Sequence, residues 1–288
     1  MIDVQDESSR VIIFDTTLRD GDLTPGVNLT IAQKLELAEL LEAMRVDVLE
    51  VGYPGAYRKD FDALFMVSKR IKQATVCGLA NSIPEEIIDV ALAIKPATRG
   101  RIHIYTPVHQ SEHETLTQIA ESIQLARHYR DDVEWSAFNA LKSDRDFLCR
   151  SIETAIHHGA TTISIPDTLG TATPEQFSEL IRSVIHRVPN IEQAAIAVHC
   201  HDDCGLAVTN SIAALDVGVR QIECAVNGLG ARKGNADLAA VVSAISAKRN
   251  SEGTTDHPNY NTIINSHLLN SASELLTQMT GIPRRLKV

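Results

Sequence analysis

The sequence predicts an α/β protein: a (β/α)8 TIM barrel followed by a short C-terminal helical extension. Eight short apolar, β-like runs alternate with longer amphipathic stretches, a pattern that demands a mostly parallel sheet. From Val11 to Lys248 these units repeat about every 30 residues, which matches a barrel of roughly 250 residues. The turn after the first run, Thr16-Thr17-Leu18-Arg19-Asp20-Gly21-Asp22, is charged and not glycine-rich. That disfavours the doubly wound dinucleotide-binding sheet, the alternative that pattern alone leaves open.

The eight strands are expected at residues 11–15, 46–52, 74–80, 101–106, 132–138, 161–166, 195–201 and 221–226. Thr30 and Gln33 form a capping box, after which Leu35, Ala38 and Leu41 repeat at helical spacing. Pro84-Glu85-Glu86 and Pro174-Glu175 place proline and acid in first helical turns, where both are favoured. The composition changes after Lys248. Residues 249–260 read as a polar linker and 262–279 as a helix stopped by Gly281-Ile282-Pro283; a basic tail, Arg284-Arg285-Leu286-Lys287, follows. The expected division is therefore a barrel over 1–249 and a linker, helix and tail over 250–288.

Composition narrows the function classes. Of 288 residues, 44% are hydrophobic and 22% charged, which is globular composition. A net charge of −10 argues against a nucleic-acid partner, which would need a basic face. No apolar run approaches the ~20 residues of a membrane span. The acidic start, Met1-Ile2-Asp3-Val4-Gln5-Asp6-Glu7, reads as neither signal nor transit peptide. The five cysteines are few, odd in number and mostly in apolar strings, as expected of a reduced cytoplasmic protein.

In a barrel, chemistry sits at the C-terminal ends of the strands. The first run ends Phe14-Asp15-Thr16-Thr17-Leu18-Arg19-Asp20-Gly21, delivering a carboxylate and a guanidinium together. The seventh ends Val198-His199-Cys200-His201-Asp202-Asp203. Strand side chains alternate, so His199 and His201 share a face, a pair suited to a divalent metal. A zinc set that adds Cys200 and Cys204 fails on that geometry, because Cys200 points the other way. The eighth leads into Asn227-Gly228-Leu229-Gly230-Ala231-Arg232-Lys233-Gly234-Asn235, where three glycines permit close backbone approach and two cations follow. The fourth puts Arg101 and His103 on one face, the fifth puts Ser136 and Phe138 on one face, and the sixth sets Asp167 and Thr168 at the rim. Each also has a bland reading: a capped strand end, solvated imidazoles, a tight turn.

Together these strings resemble the Claisen-condensing, metal-dependent (β/α)8 family of 2-isopropylmalate, homocitrate and citramalate synthases, which is related to hydroxymethylglutaryl-CoA lyase. The matching motifs are Asp15-Thr-Thr-Leu-Arg19-Asp20-Gly21, Ile165-Pro-Asp-Thr168-Leu-Gly170, His199-Cys-His201-Asp-Asp203-Cys-Gly205-Leu-Ala and the glycine loop 227–235. The likeness runs from Val11 to about Pro283 and is closest to isopropylmalate synthases. It implies a divalent metal (Mg, Mn, Zn or Co) held by Asp15, His199, His201 and Asn235, with Arg19 stabilising the oxyanion. It implies that His103, Ser136 and Thr168 contact a 2-oxo acid. The glycine loop, with Asn227, Gly228, Gly230, Arg232 and Gly234, falls where the family meets acetyl-CoA, the co-substrate. His103 is by position the candidate for proton transfer. A homodimer is also implied, and the helix over 262–279 offers Leu268, Leu269, Leu275 and Leu276 to a neighbour.

Departures from the family pattern shape the expected substrate. Asp22-Leu23 stands where Glu-Gln or Asn-Gln is usual, Phe138 replaces a carboxylate, and Ala231 replaces another. The likeness stops where typical isopropylmalate synthases continue into small subdomains and a leucine-binding domain, so contributions from those parts are not expected of this chain. The expected reaction joins acetyl-CoA to an apolar 2-oxo acid, 2-oxoisovalerate or a bulkier aromatic one such as phenylpyruvate, and releases CoA. Phe138 belongs to that pocket and disfavours a second carboxylate. An aldolase or acyl-CoA lyase on the same metal site is the alternative enzyme, and a degenerate, non-catalytic barrel the alternative non-enzyme. A biotin-dependent carboxyltransferase needs a barrel lysine that Ile165-Pro166-Asp167-Thr168 does not supply.

Overall fold

A computed structural model of the chain describes residues 9–108, 111–250 and 259–284. The acidic start, most of the polar linker and residues 285–288 of the basic tail lie outside the described residues. The strands are β1 (Ile12–Asp15), β2 (Val48–Gly52), β3 (Thr75–Asn81), β4 (Gly100–Pro107), β5 (Asp132–Phe138), β6 (Thr162–Asp167), β7 (Ala195–Cys200) and β8 (Gln221–Cys224). Each pairs in parallel with the next, and β1 also pairs with β8, with Ile12 opposite Gln221 and Asp15 opposite Cys224. The sheet is closed, so the doubly wound alternative is excluded.

The helices outside the barrel are α1 (Ile31–Ala43), α2 (Arg58–Arg70), α3 (Pro84–Ala93), α4 (Glu112–Tyr129), α5 (Arg145–His157), α6 (Pro174–Arg187), α7 (Ala207–Leu215), α8 (Leu238–Asn250) and α9 (Leu269–Thr280). The Thr30–Gln33 capping box forms, and Pro84 and Pro174 open their helices. The last helix begins later than expected. Residues 262–265 stay extended because the Asn265 backbone N–H donates to the Met44 carbonyl, and the Asn265 side chain then caps a 3-10 turn at Ser266–Leu268.

Strand alternation divides the interior into two regions. Side chains such as Leu49, Ile102, Trp135, Ile163, Val198 and Ile222 join the helices in one large apolar cluster. Inside the barrel, a small apolar layer of Phe14, Val48 and Cys77 is surrounded by polar groups. Arg101 Nη1 donates to Glu134 and to Gln221, both at 2.8 Å, and Gln221 donates back to Glu134 at 2.8 Å. Each of these buried polar groups is paired, as burial requires. The apolar side chains of α9 turn inward: Leu276 is fully buried, and Leu268, Leu269 and Leu275 pack against the chain's own core. Of the four leucines expected to meet a neighbouring copy, Leu276 is thus covered within one chain, while Leu268, Leu269 and Leu275 stay half-buried.

Candidate active site

The C-terminal strand ends surround a cleft of about 480 Å³. Its ionisable lining is Arg19, His103, His199, His201 and Glu223, apart from two tyrosines; Leu23, Tyr53, Leu79, Tyr105 and Phe138 are among its apolar and aromatic lining. Asp20, His199 and His201 are buried and each offers a ligand atom within 4.8 Å of the others. His201 lies one residue past β7 and forms a β-bridge with Asn235, which brings that side chain to the group. Asn235 Nδ2 donates to Asp20 Oδ2 at 2.6 Å. Its buried Oδ1 has no partner among the described residues, and neither has the buried Nδ1 of His201. Two orphaned buried donor atoms beside a carboxylate and a second imidazole fit a divalent cation that accepts oxygen and nitrogen ligands.

Asp15 is a correction to the expected ligand set. Phe14 packs edge-on against His103 inside the barrel, with ring centroids 5.9 Å apart, so Asp15 faces the helices. Its carboxylate accepts from the Thr17 backbone N–H and hydroxyl, both at 2.9 Å, and burial pushes its pKa up to about 7. The backbone N–H groups of Arg19, Asp20 and Gly21 all donate to the Thr16 carbonyl. That tight turn carries Asp20 back over the barrel mouth, and Asp20 takes the place expected for Asp15. Cys200 points into the outer core, as its strand position required.

Burial and neighbouring charges set the state of each of these groups. Burial opposes the Asp20 charge, but Arg19 and His199, with the Asn235 hydrogen bond, hold its carboxyl below the ordinary range. Burial and the neighbouring His199 lower His201 to about 4, which keeps it neutral and able to donate a lone pair. Glu223 Oε2 accepts from His199 Nδ1 at 2.9 Å, orienting the ring, and its other oxygen accepts from Ser164. Such a carboxylate–histidine pair fixes ring orientation at a metal.

Arg19 and His103 are held by one buried carboxylate. Glu50 accepts from Arg19 Nε at 2.5 Å and from His103 Nδ1 at 2.8 Å, and Arg19 Nη1 reaches Asp20 at 3.1 Å. Burial works against the Arg19 charge, but Glu50 and Asp20 outweigh it. Burial also works against the charged form of His103, but Glu134, Glu50 and Glu223 raise its pKa. His103 Nε2 lies 2.7 Å from Ser136 Oγ. Thr168 reaches the cleft, where its hydroxyl accepts from the Asn139 N–H. Glu50 and Glu223 did not emerge from sequence reasoning. Their signal is a lone carboxylate inside an apolar run, Leu49-Glu50-Val51 and Ile222-Glu223-Cys224.

The glycine loop walls a second cavity of about 370 Å³, lined by Asn227, Gly228, Gly230, Arg232 and Gly234 among others. A Cβ on Gly230 would lie 2.6 Å from Asn235 Nδ2, and one on Gly234 2.1 Å from the Gly228 carbonyl, so both positions exclude a side chain. Two expected ligand contacts are already engaged. Arg232 makes a bidentate pair with Asp203 at 3.0 and 2.9 Å and donates to the Thr168 carbonyl, while the Asn227 amide faces α9.

A family model described as HMGL-like matches residues 10–275. The chain is 46% identical over 286 residues to the 2-isopropylmalate synthase of Rhodopseudomonas palustris (strain BisB5), covering 96% of this chain and 53% of that protein. It is 45% identical over 283 residues to the 2-isopropylmalate synthase of Methylorubrum populi, covering 95% and 53%. The chain spans about half the length of the curated relatives it matches. Among solved structures, it resembles hydroxymethylglutaryl-CoA lyase from Pseudomonas aeruginosa, with a TM-score of 0.77 at 20% identity over 96% of this chain and 95% of that one. The HMG-CoA lyase from Brucella melitensis gives a TM-score of 0.77 at 19% identity over 95% and 100%. These structural likenesses concern the fold alone.

Proposed function

The chain belongs to the HMGL-like family, and on that premise we propose that it condenses acetyl-CoA with a 2-oxo acid bearing an apolar, preferably aromatic, side chain. The first product is a 2-substituted malyl-CoA thioester, and water then hydrolyses the thioester to give the 2-substituted malate and CoA. The curated relatives, named 2-isopropylmalate synthases, support the reaction. The wall of the cleft carries the substrate preference. Phe138 lies with its ring centroid 5.7 Å from that of Tyr105, which in turn lies 6.0 Å from that of Tyr53. Leu23 and Leu79 line the same cleft. Among the described residues its lining holds no lysine and one arginine, Arg19, which lies beside Asp20. A second carboxylate on the acceptor would be desolvated against that wall at a cost, whereas a ring there gains about 0.5–1.5 kcal/mol beyond area burial.

A divalent ion held by Asp20, His199, His201 and Asn235 would act as a Lewis acid on the acceptor ketone. Arg19, fixed by Glu50 and Asp20, stands ready to offset the alkoxide charge that develops as the new bond forms. His103 is expected to donate through Nε2 to the bound acid. With Nδ1 on Glu50 and a raised pKa, it suits a hydrogen-bond donor better than the general base for which position alone makes it a candidate.

The test is thiol release from acetyl-CoA with pyruvate, 2-oxoisovalerate, phenylpyruvate and 2-oxoglutarate in turn, with and without chelator. Preference for phenylpyruvate or 2-oxoisovalerate, abolished by chelation, is the expected result. Preference for 2-oxoglutarate would overturn the reading of the wall. Cleavage of a 2-substituted malyl-CoA thioester to acetyl-CoA and a 2-oxo acid, with no condensation, would indicate the lyase direction instead.

A further inference from the structure

Asn227 opens the glycine loop with a left-handed backbone, φ 57°, a conformation unfavourable to a residue with a Cβ. What holds it there is α9. Its Oδ1 accepts from the Ser273 hydroxyl at 2.6 Å, and its Nδ2 donates to Thr277 Oγ1 at 3.2 Å and to the Ser273 carbonyl at 3.3 Å. On the other side of the loop, Asp237 accepts from Arg284 Nη2 at 2.7 Å and Nε at 3.1 Å. The C-terminal segment therefore grips the loop at both ends.

Between those grips the loop has little slack. Asn235 N–H donates to the Gly228 carbonyl at 3.0 Å, and the Asn235 amide lies against Gly230 so closely that no Cβ fits between them. A displacement at Asn227 therefore carries Gly228, and with it Asn235. Ile282 and Pro283 also line the cavity beside this loop. The seat of α9 on the barrel is apolar, through Ala272 and Leu276, and does not depend on the Asn227 amide.

We propose that α9 and the turn after it clamp the glycine loop, with Asn227 as the positioning residue. The clamp sets where Asn235 presents Oδ1 to a divalent cation, and it shapes the cavity that receives the thioester. The second half rests on the condensation proposed above; the first does not.

The experiment is Mn2+ titration, followed by the EPR signal of the free ion, on Asn227→Gly and on the double variant Ser273→Ala, Thr277→Val. Asn227→Gly permits the left-handed backbone and removes the amide side chain; the double variant removes its two hydroxyl partners from the other side and leaves the Ser273 and Ile282 carbonyls in place. Both should weaken Mn2+ about 10-fold, the scale of losing an outer-shell support. Both should raise the KM for acetyl-CoA by a similar factor, leave the KM for the 2-oxo acid within twofold, and shift the melting temperature by only a few degrees. Unchanged Mn2+ affinity and acetyl-CoA KM overturn the proposal, as does a fall in melting temperature alone. If Asn227→Gly does not fold, the double variant decides. A wild-type chain that binds Mn2+ but consumes no acetyl-CoA would refute the condensation, while the Mn2+ comparison still judges the clamp.

Discussion

Asp15 and Asp20 are both fully buried carboxylates, and a single tight turn gives them opposite tasks. Asp15 closes on Thr17, while Asp20 meets two imidazoles and the Asn235 amide. Asp20→Asn should therefore weaken Mn2+ by at least 10²-fold, more than the 10–100-fold typical of outer-shell losses. Asp15→Asn should leave Mn2+ affinity within twofold, and isothermal titration of both variants separates the two carboxylates. Strand parity made the His199–His201 pair legible. It could not reach Asp20, because alternation ends where the strand ends and the turn on Thr16 decides which way the next carboxylate faces. Arg19 was legible for the opposite reason: it is the one cation of the turn. Its planar fork holds Glu50 and Asp20 at once, which lysine cannot reproduce. Arg19→Lys should lower kcat by about 10²–10³, the usual loss for a charge-stabilising donor, with folding unchanged by circular dichroism. A wild-type rate would remove Arg19 from that role.

Strands β4 and β5 work as one element, in register from Arg101 opposite Asp132 to Pro107 opposite Phe138. Their inward residues rise from an ion-paired layer, Arg101 with Glu134, through His103 and Ser136 to the aromatic rim of Tyr105 and Phe138. Phe138→Glu places a carboxylate in that rim. It should lower kcat/KM for phenylpyruvate and 2-oxoisovalerate by about 10-fold or more, and less for pyruvate, since discrimination of this kind grows with the apolar surface a substrate side chain buries in its pocket. Steady-state kinetics on the three acids reads the difference, and equal losses on all three would detach Phe138 from side-chain selection. The strands themselves were legible because buried parallel strands are nearly continuous apolar runs. Ends shifted by a residue or two, as at β8, which stops at Cys224 rather than at Val226. The start of α9 was not legible, since the bond from Asn265 to Met44 joins segments far apart in sequence.

The closed barrel keeps its charges in matched layers, and the layer farthest from the cleft bears on stability. Arg101 is nearly fully buried between Glu134, Asp132 and Gln221. Arg101→Ala leaves buried carboxylate uncompensated and should cost about 3–5 kcal/mol, measured by urea unfolding. A loss below about 1 kcal/mol would mean that the layer is hydrated. Closure was legible only as arithmetic of repeat and length; the pairing of β1 with β8 that completes it has no local signal. The contacts by which the C-terminal helix grips the glycine loop are equally non-local. Among the described residues no helix is long and apolar enough to cross a membrane. The proposed reaction forms a carbon–carbon bond at a metal-dependent site made of Asp20, His199, His201 and Asn235. Its most direct test follows acetyl-CoA labelled with 13C in the methyl group by NMR, in the presence of phenylpyruvate and Mn2+. The account predicts that the label appears in the methylene carbon of a 2-substituted malate, and that chelator or Asp20→Asn abolishes it. CoA release without a labelled malate, or a labelled malate that survives chelation, would contradict it.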